Sequence, residues 1–137
     1  MAAGIKPDVD ETNAFYWEGL RQNRLLIQRC SACARRRFPP MPSCPYCAAA
    51  GATVEEASGE ATLYSWIVVH RAFDPSFGDQ VPYTLGTVDL AGGGRLVARI
   101  VQAPSLTAGM RLALHIRRHD DWAEPQFAPL PSDEAAR

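Results

Sequence analysis

The cysteines carry the clearest chemical signal in this sequence, because they fall into two closely spaced pairs. Cys30 and Cys33 form one Cys-x2-Cys pair, and Cys44 and Cys47 form a second pair after ten intervening residues. Each pair makes a tight turn with both sulfurs on one side, and the segment 34–43 can fold back between them as a short hairpin. The spacing therefore predicts a zinc ribbon in which four thiolates hold one ion; iron fits the same tetrahedral sulfur cage.

We expect this metal to be structural, since four protein ligands leave no open position for water or substrate. Two alternatives are weaker. A pair of disulfides would suit a secreted scaffold, but the start of the chain is polar and lacks the apolar core of a signal peptide. A redox role is disfavoured because thioredoxin-type motifs are single and lie at the start of a helix.

Charge and composition narrow the class of protein. The 137 residues are 47% hydrophobic and 21% charged, which is typical of a soluble globular domain with at most a small appendage. No apolar run approaches the roughly 20 residues needed to cross a bilayer. The net charge of −1 argues against a bulk polyanion binder, which needs a basic surface. We therefore expect a cytoplasmic protein without membrane contact.

Several arginines lie beside the first cysteine pair and can offset the negative charge of the thiolates: Arg29, Arg35, Arg36 and Arg37. The run Arg35–Arg37 is either a solvated face or a contact for phosphate.

The N-terminal part predicts a helix over residues 11–23 that is capped by Thr12 or Asn13. Phe15, Tyr16 and Trp17 are three consecutive aromatic residues, more than a short terminal helix needs. They either cover the rest of the fold or form an exposed helix that docks a partner. Residues 25–28 then lead as a strand into the first cysteine turn.

After Gly51 the pattern becomes β. Strands are predicted at 61–70, 83–90, 95–101 and 111–119, and four or five antiparallel strands in so short a segment indicate a small barrel, with the OB-fold as the leading candidate. The strand 61–70 is apolar on both faces, so we expect it to be covered on both sides. In the last predicted strand Leu112, Leu114 and Ile116 alternate with outward Arg111, His115, Arg117 and His119.

No catalytic constellation stands out. We expect His70, His115 and His119 to be solvated or structural, and the three glycines at 92–94 form a turn and not a phosphate loop. The loop Arg71–Pro82 is long for a hairpin and carries two phenylalanines, so it either binds a partner or packs on its own barrel.

The order of the motifs resembles the domain-of-unknown-function 35 family over about residues 12–130. The aromatic helix is followed by the first cysteine pair, a proline-bearing hairpin at Phe38-Pro39-Pro40, and the second pair. A β segment with Pro82-Tyr83, a late Gly109-Met110 and the closing segment 125–129 come after it. Members of that family join a rubredoxin-like zinc ribbon to an OB-fold.

The resemblance implies a function that residue spacing alone does not indicate. Family members are usually non-catalytic partners of acyl-CoA enzymes: thiolases and related condensing enzymes, and also hot-dog-fold enoyl-CoA hydratases and aldolases of steroid side-chain breakdown. We therefore expect a non-catalytic accessory subunit in a hetero-oligomer, with a thiolase-type partner placed first, that helps to assemble the complex and to seat the coenzyme A thioester. A hydratase or aldolase partner in steroid or fatty acyl side-chain degradation is one alternative. A nucleic-acid-binding protein is another, because zinc ribbons and OB-folds both bind nucleic acid, and a stand-alone enzyme is a third.

The resemblance also assigns positions in this chain. The four cysteines match the metal ligands, and Pro82-Tyr83 with the preceding loop matches a region near the partner's active site. We expect contacts with acyl-CoA or the partner at Trp66, Arg71, Phe73 and Tyr83, and partner docking at Phe15, Tyr16 and Trp17. One departure concerns the turns: the family often has glycine just after a Cys-x2-Cys pair, where this chain has Ala34 and Ala48.

The expected organisation is a flexible N-terminus at 1–11, a helix and zinc ribbon at 12–57, an OB-fold at 58–130 and a flexible tail at 131–137.

Overall fold

The computed structural model describes residues 5–130 of the chain, and these are mostly β, with one α-helix and eight strands. The predicted flexible tail at 131–137 and the first four residues of the predicted flexible N-terminus lie outside the described residues. Lys6, which falls within the remainder of that N-terminus, forms an ion pair with Asp121. Within residues 5–130 no helix is long and apolar enough to cross a membrane.

The single α-helix, α1, spans Ala14–Arg21 and is shorter than the predicted segment 11–23. Asn13 occupies the N-cap position, but its side chain turns back and accepts a hydrogen bond from the Asp10 N–H at 2.8 Å. The Asp10 carboxylate accepts from the backbone N–H groups of Thr12 and Asn13 at 2.9 and 3.0 Å. The capping prediction was therefore right about the position of Asn13, but its side chain makes no capping hydrogen bond, and the Asp10 carboxylate binds the turn that precedes the helix.

The zinc ribbon region forms a small antiparallel sheet of three strands in the order β2-β1-β3. Strand β1 is Leu26–Cys30, β2 is Arg36–Arg37 and β3 is Ala52–Glu56. Strand β3 was not expected from the sequence; it pairs with β1 along its full length and places Ala52 opposite Cys30. The central strand therefore ends at a metal-site cysteine and is held on both of its edges.

The remaining strands close into a five-stranded barrel in the order β4-β5-β6-β8-β7. These strands are β4 Glu60–Val69, β5 Tyr83–Leu90, β6 Arg95–Ile100, β7 Arg111–Arg118 and β8 Ala123–Pro129. The predicted small OB-fold barrel is confirmed. The prediction that all its strands are antiparallel is wrong at one place, because β6 and β8 pair in parallel.

The last β hairpin shows one further difference from the sequence pattern. Strict alternation predicted that His119 points outward, but its side chain is buried and its ring stacks on Trp122, with ring centroids 4.0 Å apart. His119 lies just past the end of β7, where the chain turns, so the strand alternation no longer applies to it. His115, on the strand itself, is exposed as predicted.

Strand β4 is the largest departure from expectation. Ala61 and Leu63 are buried, but the half of the strand that follows is largely exposed, although it stays paired with β5. There Tyr64 is 57% exposed and Ile67 is 62% exposed, although these positions carry large hydrophobic side chains. The prediction that this strand is covered on both faces is therefore wrong for its second half within this chain.

Arg36 connects the ribbon to the barrel by hydrogen bonds. Its Nη1 donates hydrogen bonds to the carbonyl oxygens of Ala91 and Gly93, at 3.1 and 3.0 Å, in the turn between β5 and β6. Gly92 has a φ of +91°, and a Cβ there would come within 3.1 Å of the Arg36 Nη1. The turn thus needs glycine both for its backbone conformation and for the close approach of the guanidinium.

Close packing inside the barrel gives a first prediction. A Cβ on Gly86 would lie 2.7 Å from the Ile100 Cγ1 and 3.0 Å from the Leu63 Cδ1. Gly86→Ala should therefore lower the free energy of unfolding by about 1–3 kcal/mol, as overpacking of a core does, measured by chemical denaturation. Gly51→Ala is the matched control, because its Cβ would come no closer than 3.4 Å to Ser31. Equal stability of the two variants would contradict this account of the barrel.

Candidate metal centre

The four cysteine sulfurs converge on one point. All four Sγ atoms lie within 4.8 Å of one another, and the Cys30–Cys47 and Cys33–Cys44 pairs are each 3.6 Å apart. Two sulfurs of a regular tetrahedron with Zn–S bonds of about 2.3 Å are about 3.8 Å apart. The cysteines are free thiols and not disulfides. They are therefore positioned to bind one metal ion, and the disulfide alternative is wrong.

Backbone N–H groups of the two cysteine turns point at the sulfurs. The N–H groups of Ala32 and Cys33 donate to the Cys30 Sγ at 3.4 and 3.5 Å, and the Tyr46 N–H donates to the Cys44 Sγ at 3.4 Å. Such bonds stabilise a thiolate more than a neutral thiol. The turns therefore hold each first cysteine in the form in which it binds a metal.

The pKa values of Cys30 and Cys47 are shifted in opposite directions in the absence of metal. Backbone N–H bonds from Cys33 and Ala32 lower the pKa of Cys30 to about 6. The pKa of Cys47 is raised to about 11: the Ala49 N–H acts to lower it, but the S···S contacts with Cys30 and the other sulfurs retain its proton. Metal uptake must therefore displace protons that the cluster still holds at neutral pH.

The backbone of each turn closes in a strained conformation. Ala34 and Ala48 have φ values of +68° and +70°, and their N–H groups donate to the carbonyl oxygens of Cys30 and Cys44 at 3.0 and 2.9 Å. Residues other than glycine adopt this left-handed region at a cost of about 1–2 kcal/mol. The two turns thus adopt the left-handed conformation that glycine would allow without strain, and Ala34 and Ala48 adopt it at that cost.

Glu55 organises the arginines around the site. Arg29 donates to both carboxylate oxygens, at 2.8 and 2.7 Å, and the Arg36 Nε donates at 2.7 Å. These bonds, first from Arg29 and then from Arg36, lower the pKa of Glu55 to about 2. Arg37 is buried, and its Nε donates to the Gln28 side chain at 3.3 Å. The solvated-face hypothesis is therefore wrong for Arg36 and Arg37, and holds only for Arg35, which lies over the Tyr46 ring.

The residues predicted to contact acyl-CoA or a partner fall into two places. Arg71 and Phe73 lie together in the loop after β4, where the guanidinium is 5.3 Å from the ring centroid and Phe73 is 80% exposed. Tyr83 pairs with Val69 at the start of β5, which puts it on the opposite face of the strand pair from Trp66. The structure therefore brings Arg71 and Phe73 together and places Trp66 and Tyr83 on opposite faces of the strand pair.

Tyr83 belongs to a groove that the sequence analysis did not identify. The groove, of about 460 Å³, runs between α1, the Phe38-Pro39-Pro40 turn and the outer face of β5 and β6. The Arg99 guanidinium lies 4.1 Å from the Tyr83 ring centroid and donates to the Gln80 side chain at 2.7 Å. The proline-bearing turn was noted as a motif, but only the fold shows that it faces the barrel.

The aromatic helix contributes to this groove. Tyr16 is buried, with its ring centroid 5.3 Å from that of Phe38, whereas Phe15 and Trp17 are partly buried. Trp17 lines the groove and packs edge-on against Trp122 at 6.3 Å. Tyr16 is therefore a core residue, and the docking role predicted for the three aromatic residues is retained only for Phe15 and Trp17.

Two family models match the chain. The model described as ChsH2, rubredoxin-like zinc ribbon domain, matches residues 17–53. The model described as ChsH2, C-terminal OB-fold domain, matches residues 54–117. The first of these matches agrees with the four-sulfur site, and the second with the closed barrel.

Curated relatives are larger proteins. The chain is 38% identical over 140 residues to a probable enoyl-CoA hydratase alpha subunit of Thermomonospora curvata, covering 95% of this chain and 41% of the relative. It is 29% identical over 129 residues to the 3-oxo-4,17-pregnadiene-20-carboxyl-CoA hydratase alpha subunit of Mycobacterium tuberculosis, covering 93% of this chain and 40% of that protein. The chain therefore spans about two fifths of the length of the curated relatives it matches.

Solved structures agree with this fold. A chain of the Ltp2-ChsH2(DUF35) aldolase is 38% identical, with a TM-score of 0.79, and the match covers 90% of this chain and 98% of that one. A DUF35-family protein of unknown function from Sulfolobus solfataricus has a TM-score of 0.63 at 16% identity, covering 88% and 86% of the two chains. The second match shows a shared fold alone.

The sulfur geometry predicts that the purified protein contains about one zinc ion per chain. Cys44→Ser should release the metal and lower the melting temperature, because a structural zinc contributes folding free energy directly. Ser31→Ala, in the first cysteine turn, is the control and should retain the metal. Metal analysis by plasma mass spectrometry beside thermal melts makes the test, and wild-type protein without zinc or iron would refute it.

The low pKa of Glu55 predicts a dependence of stability on acid. Because that pKa is about 2 in the folded chain against an ordinary value of 4.5, the carboxylate stabilises the fold above pH 4.5. This contribution is lost as the pH falls toward 2. Glu55→Gln should therefore be less stable at neutral pH and lose less stability on acidification than the wild type does.

Glu56→Gln is the matched control for Glu55→Gln. Glu56 is the next residue on β3, and within residues 5–130 its ion pair is with an exposed arginine, Arg24, at 3.2 Å. Such pairs contribute little, so this variant should follow the wild-type curve in melts between pH 2 and 7. Parallel curves for all three proteins would show that the Glu55 cluster is not a stabilising element.

Proposed function

This chain belongs to the DUF35 family of ChsH2-like zinc ribbon and OB-fold proteins, and on that premise we propose that it is a non-catalytic subunit of a complex that processes acyl-CoA. Its relatives are named as hydratase alpha subunits and as part of an aldolase. Those names favour a hydratase or aldolase subunit as the partner over the thiolase that the sequence analysis placed first. In this proposal the chain acts in the cytoplasm, assembles the complex and helps to seat the thioester.

The observation that carries the proposal is the apolar surface of the exposed second half of β4. We call this surface the arm; it consists of the segment 64–69 together with Phe73. Its large side chains are exposed within this chain, and none of the residues 64–69 is charged. Exposed apolar side chains clustered along one short segment mark an interaction site in a globular protein. The arm is thus a surface that a partner subunit would cover.

The groove supports the second part of the proposal, the seating of the thioester. Its walls are largely aromatic and aliphatic, with Trp17 and Phe38 on one side and Val97 on the other. Arg99 supplies a positive charge beside the Tyr83 ring. Such a combination suits a ligand that is apolar along most of its length and carries phosphate at one end. Arg71, whose guanidinium lies beside the Phe73 ring of the arm, is a second candidate for phosphate.

We assign the chemistry of the reaction to the partner. The four thiolates are the ligands of one ion, and their closed coordination leaves no position for substrate. His119 is stacked on Trp122 and buried, so it is not placed to exchange protons with a bound thioester. The metal in this proposal holds the ribbon, which in turn supports one wall of the groove.

The proposal predicts a stable complex with an aldolase subunit of the Ltp2 type and no activity without one. We expect the purified chain to show neither hydratase nor aldolase turnover of an acyl-CoA. Titration calorimetry should detect binding to the Ltp2-type subunit, and Phe73→Ala should weaken that binding about tenfold or more, as the loss of an aromatic anchor does. Val54→Ala, on the ribbon, is the control and should bind normally.

Three results would count against the proposal. The first is turnover by the chain alone, which would make it an enzyme. The second is binding to the aldolase subunit that Phe73→Ala and Val54→Ala affect equally. The third is an absence of such binding together with tight, salt-resistant binding to single-stranded DNA, which would favour the nucleic-acid alternative.

A further inference from the structure

Strand β4 has an open backbone edge along the arm. On one side β4 pairs with β5 as far as Val69, which lies opposite Tyr83. On its other side it pairs with β7 only over Glu60–Thr62. The next residue, Leu63, is bonded to the loop before β7: its N–H donates to the Met110 carbonyl at 3.0 Å, and its carbonyl accepts from the Gly109 N–H at 2.7 Å. Beyond that point the residues 64–69 have no backbone partner on this side within the described part of the chain.

This edge lacks the features that usually protect an open strand. Natural proteins guard such edges with charged side chains, prolines, or very short strands. The segment 64–69 is six residues long and contains neither a charge nor a proline. The outer edge of the ribbon sheet is guarded, because β3 ends in Glu55 and Glu56. The open edges of β3 and of β4 thus differ in how they are protected.

The side chains beside the open edge define what could pair with it. Strand residues alternate between faces, so Trp66 and Val68 lie on one face and Ile67 on the other. All three are exposed. A strand added at this edge would find apolar neighbours on both faces along residues 66–68, and at its start the Arg95 guanidinium, 3.9 Å from the Tyr64 ring centroid. Along residues 66–68 it must therefore be extended, uncharged and apolar on both of its own faces.

We propose that the arm edge accepts an extended segment of the partner hydratase or aldolase subunit as an additional β-strand. This inference rests on the proposed function and specifies how the two subunits join. Main-chain hydrogen bonds along residues 64–69 supply the pairing, and the apolar side chains on each face select the segment. The partner subunit is preferred to a second copy of this chain, because edge-to-edge pairing of two arms would leave both apolar faces and Phe73 in water. A larger subunit covers the edge and the faces together.

Amide hydrogen exchange tests the pairing directly. In a strand about every second N–H points to a given edge, so about three amides of the segment 64–69 should exchange rapidly in the isolated chain. In the complex with the Ltp2-type aldolase subunit, those amides should become protected by about tenfold or more. The amides of β3 on the ribbon provide an internal reference that should not change.

A pair of matched variants tests the same edge by affinity. Val68 on the arm and Val54 on β3 are both strand valines, 47% and 48% exposed. Val68→Lys places a charge on the unguarded edge and should weaken binding about tenfold or more, whereas Val54→Lys should bind within about twofold of the wild type. Both variants should melt near the wild-type temperature, since each changes an exposed side chain.

The outcomes separate this inference from the proposed function. If the complex forms but the amides of 64–69 stay unprotected and the two lysine variants bind alike, the strand pairing is wrong and the proposed function stands. If no complex forms, both are wrong. If the amides are already protected in the isolated chain and light scattering gives the mass of a dimer, the occupant is a second copy of this chain, and the inference is overturned.

Discussion

The rest of the ribbon depends on one constraint, the meeting of four sulfurs at a single ion. Between β2 and β3 the chain runs from Phe38 to Gly51 without a helix or strand, so its backbone has few hydrogen bonds to hold it. The second cysteine pair lies in the middle of this segment and fixes it to the end of β1. The Phe38-Pro39-Pro40 turn, which forms one wall of the groove, is part of the same segment. Binding of the ion therefore positions a surface that has no metal chemistry of its own.

The ribbon and the barrel share one hydrophobic core. Leu25 and Ile27 of the ribbon belong to the same buried cluster as Leu63 and Val88 of the barrel, and α1 adds Leu20 between them. Arg36 reinforces this packing, because Glu55 holds the guanidinium on the ribbon side while it donates to the barrel turn. An isolated ion pair at a surface would contribute little, but here the arginine is buried and satisfies two carbonyl groups as well. The two parts are thus joined by apolar packing and by a polar contact with defined geometry.

The cysteine spacing and the strand pattern predicted the metal site and the barrel, because both depend on local sequence. The hydrogen bonds of Asp10 to the turn before α1 and the existence of β3 were missed, since neither a side chain three residues before the expected cap nor the polar strand Ala52–Glu56 carries a strong signal. The groove could not be predicted, because it arises where the turn at Phe38 meets strands far along the chain. Strand alternation predicted the orientation of a side chain only within the strand itself. It failed for His119, which lies just past the end of β7.

The arm shows a different limit of prediction from the sequence. The sequence correctly predicted that β4 is apolar on both faces, and the error lay in assuming that this chain supplies the cover. Periodicity reports the chemistry of a surface, whereas the element that covers it can belong to another molecule. An open, uncharged edge is a liability for an isolated domain, because it invites unspecific pairing. Covering it would convert exposed apolar area and unpaired N–H groups into stabilising contacts, so binding to a partner and stability of the arm would be linked. The ribbon, held by its own ion, needs no such cover. The arm, by contrast, leaves apolar side chains and backbone N–H groups exposed that a partner chain would cover.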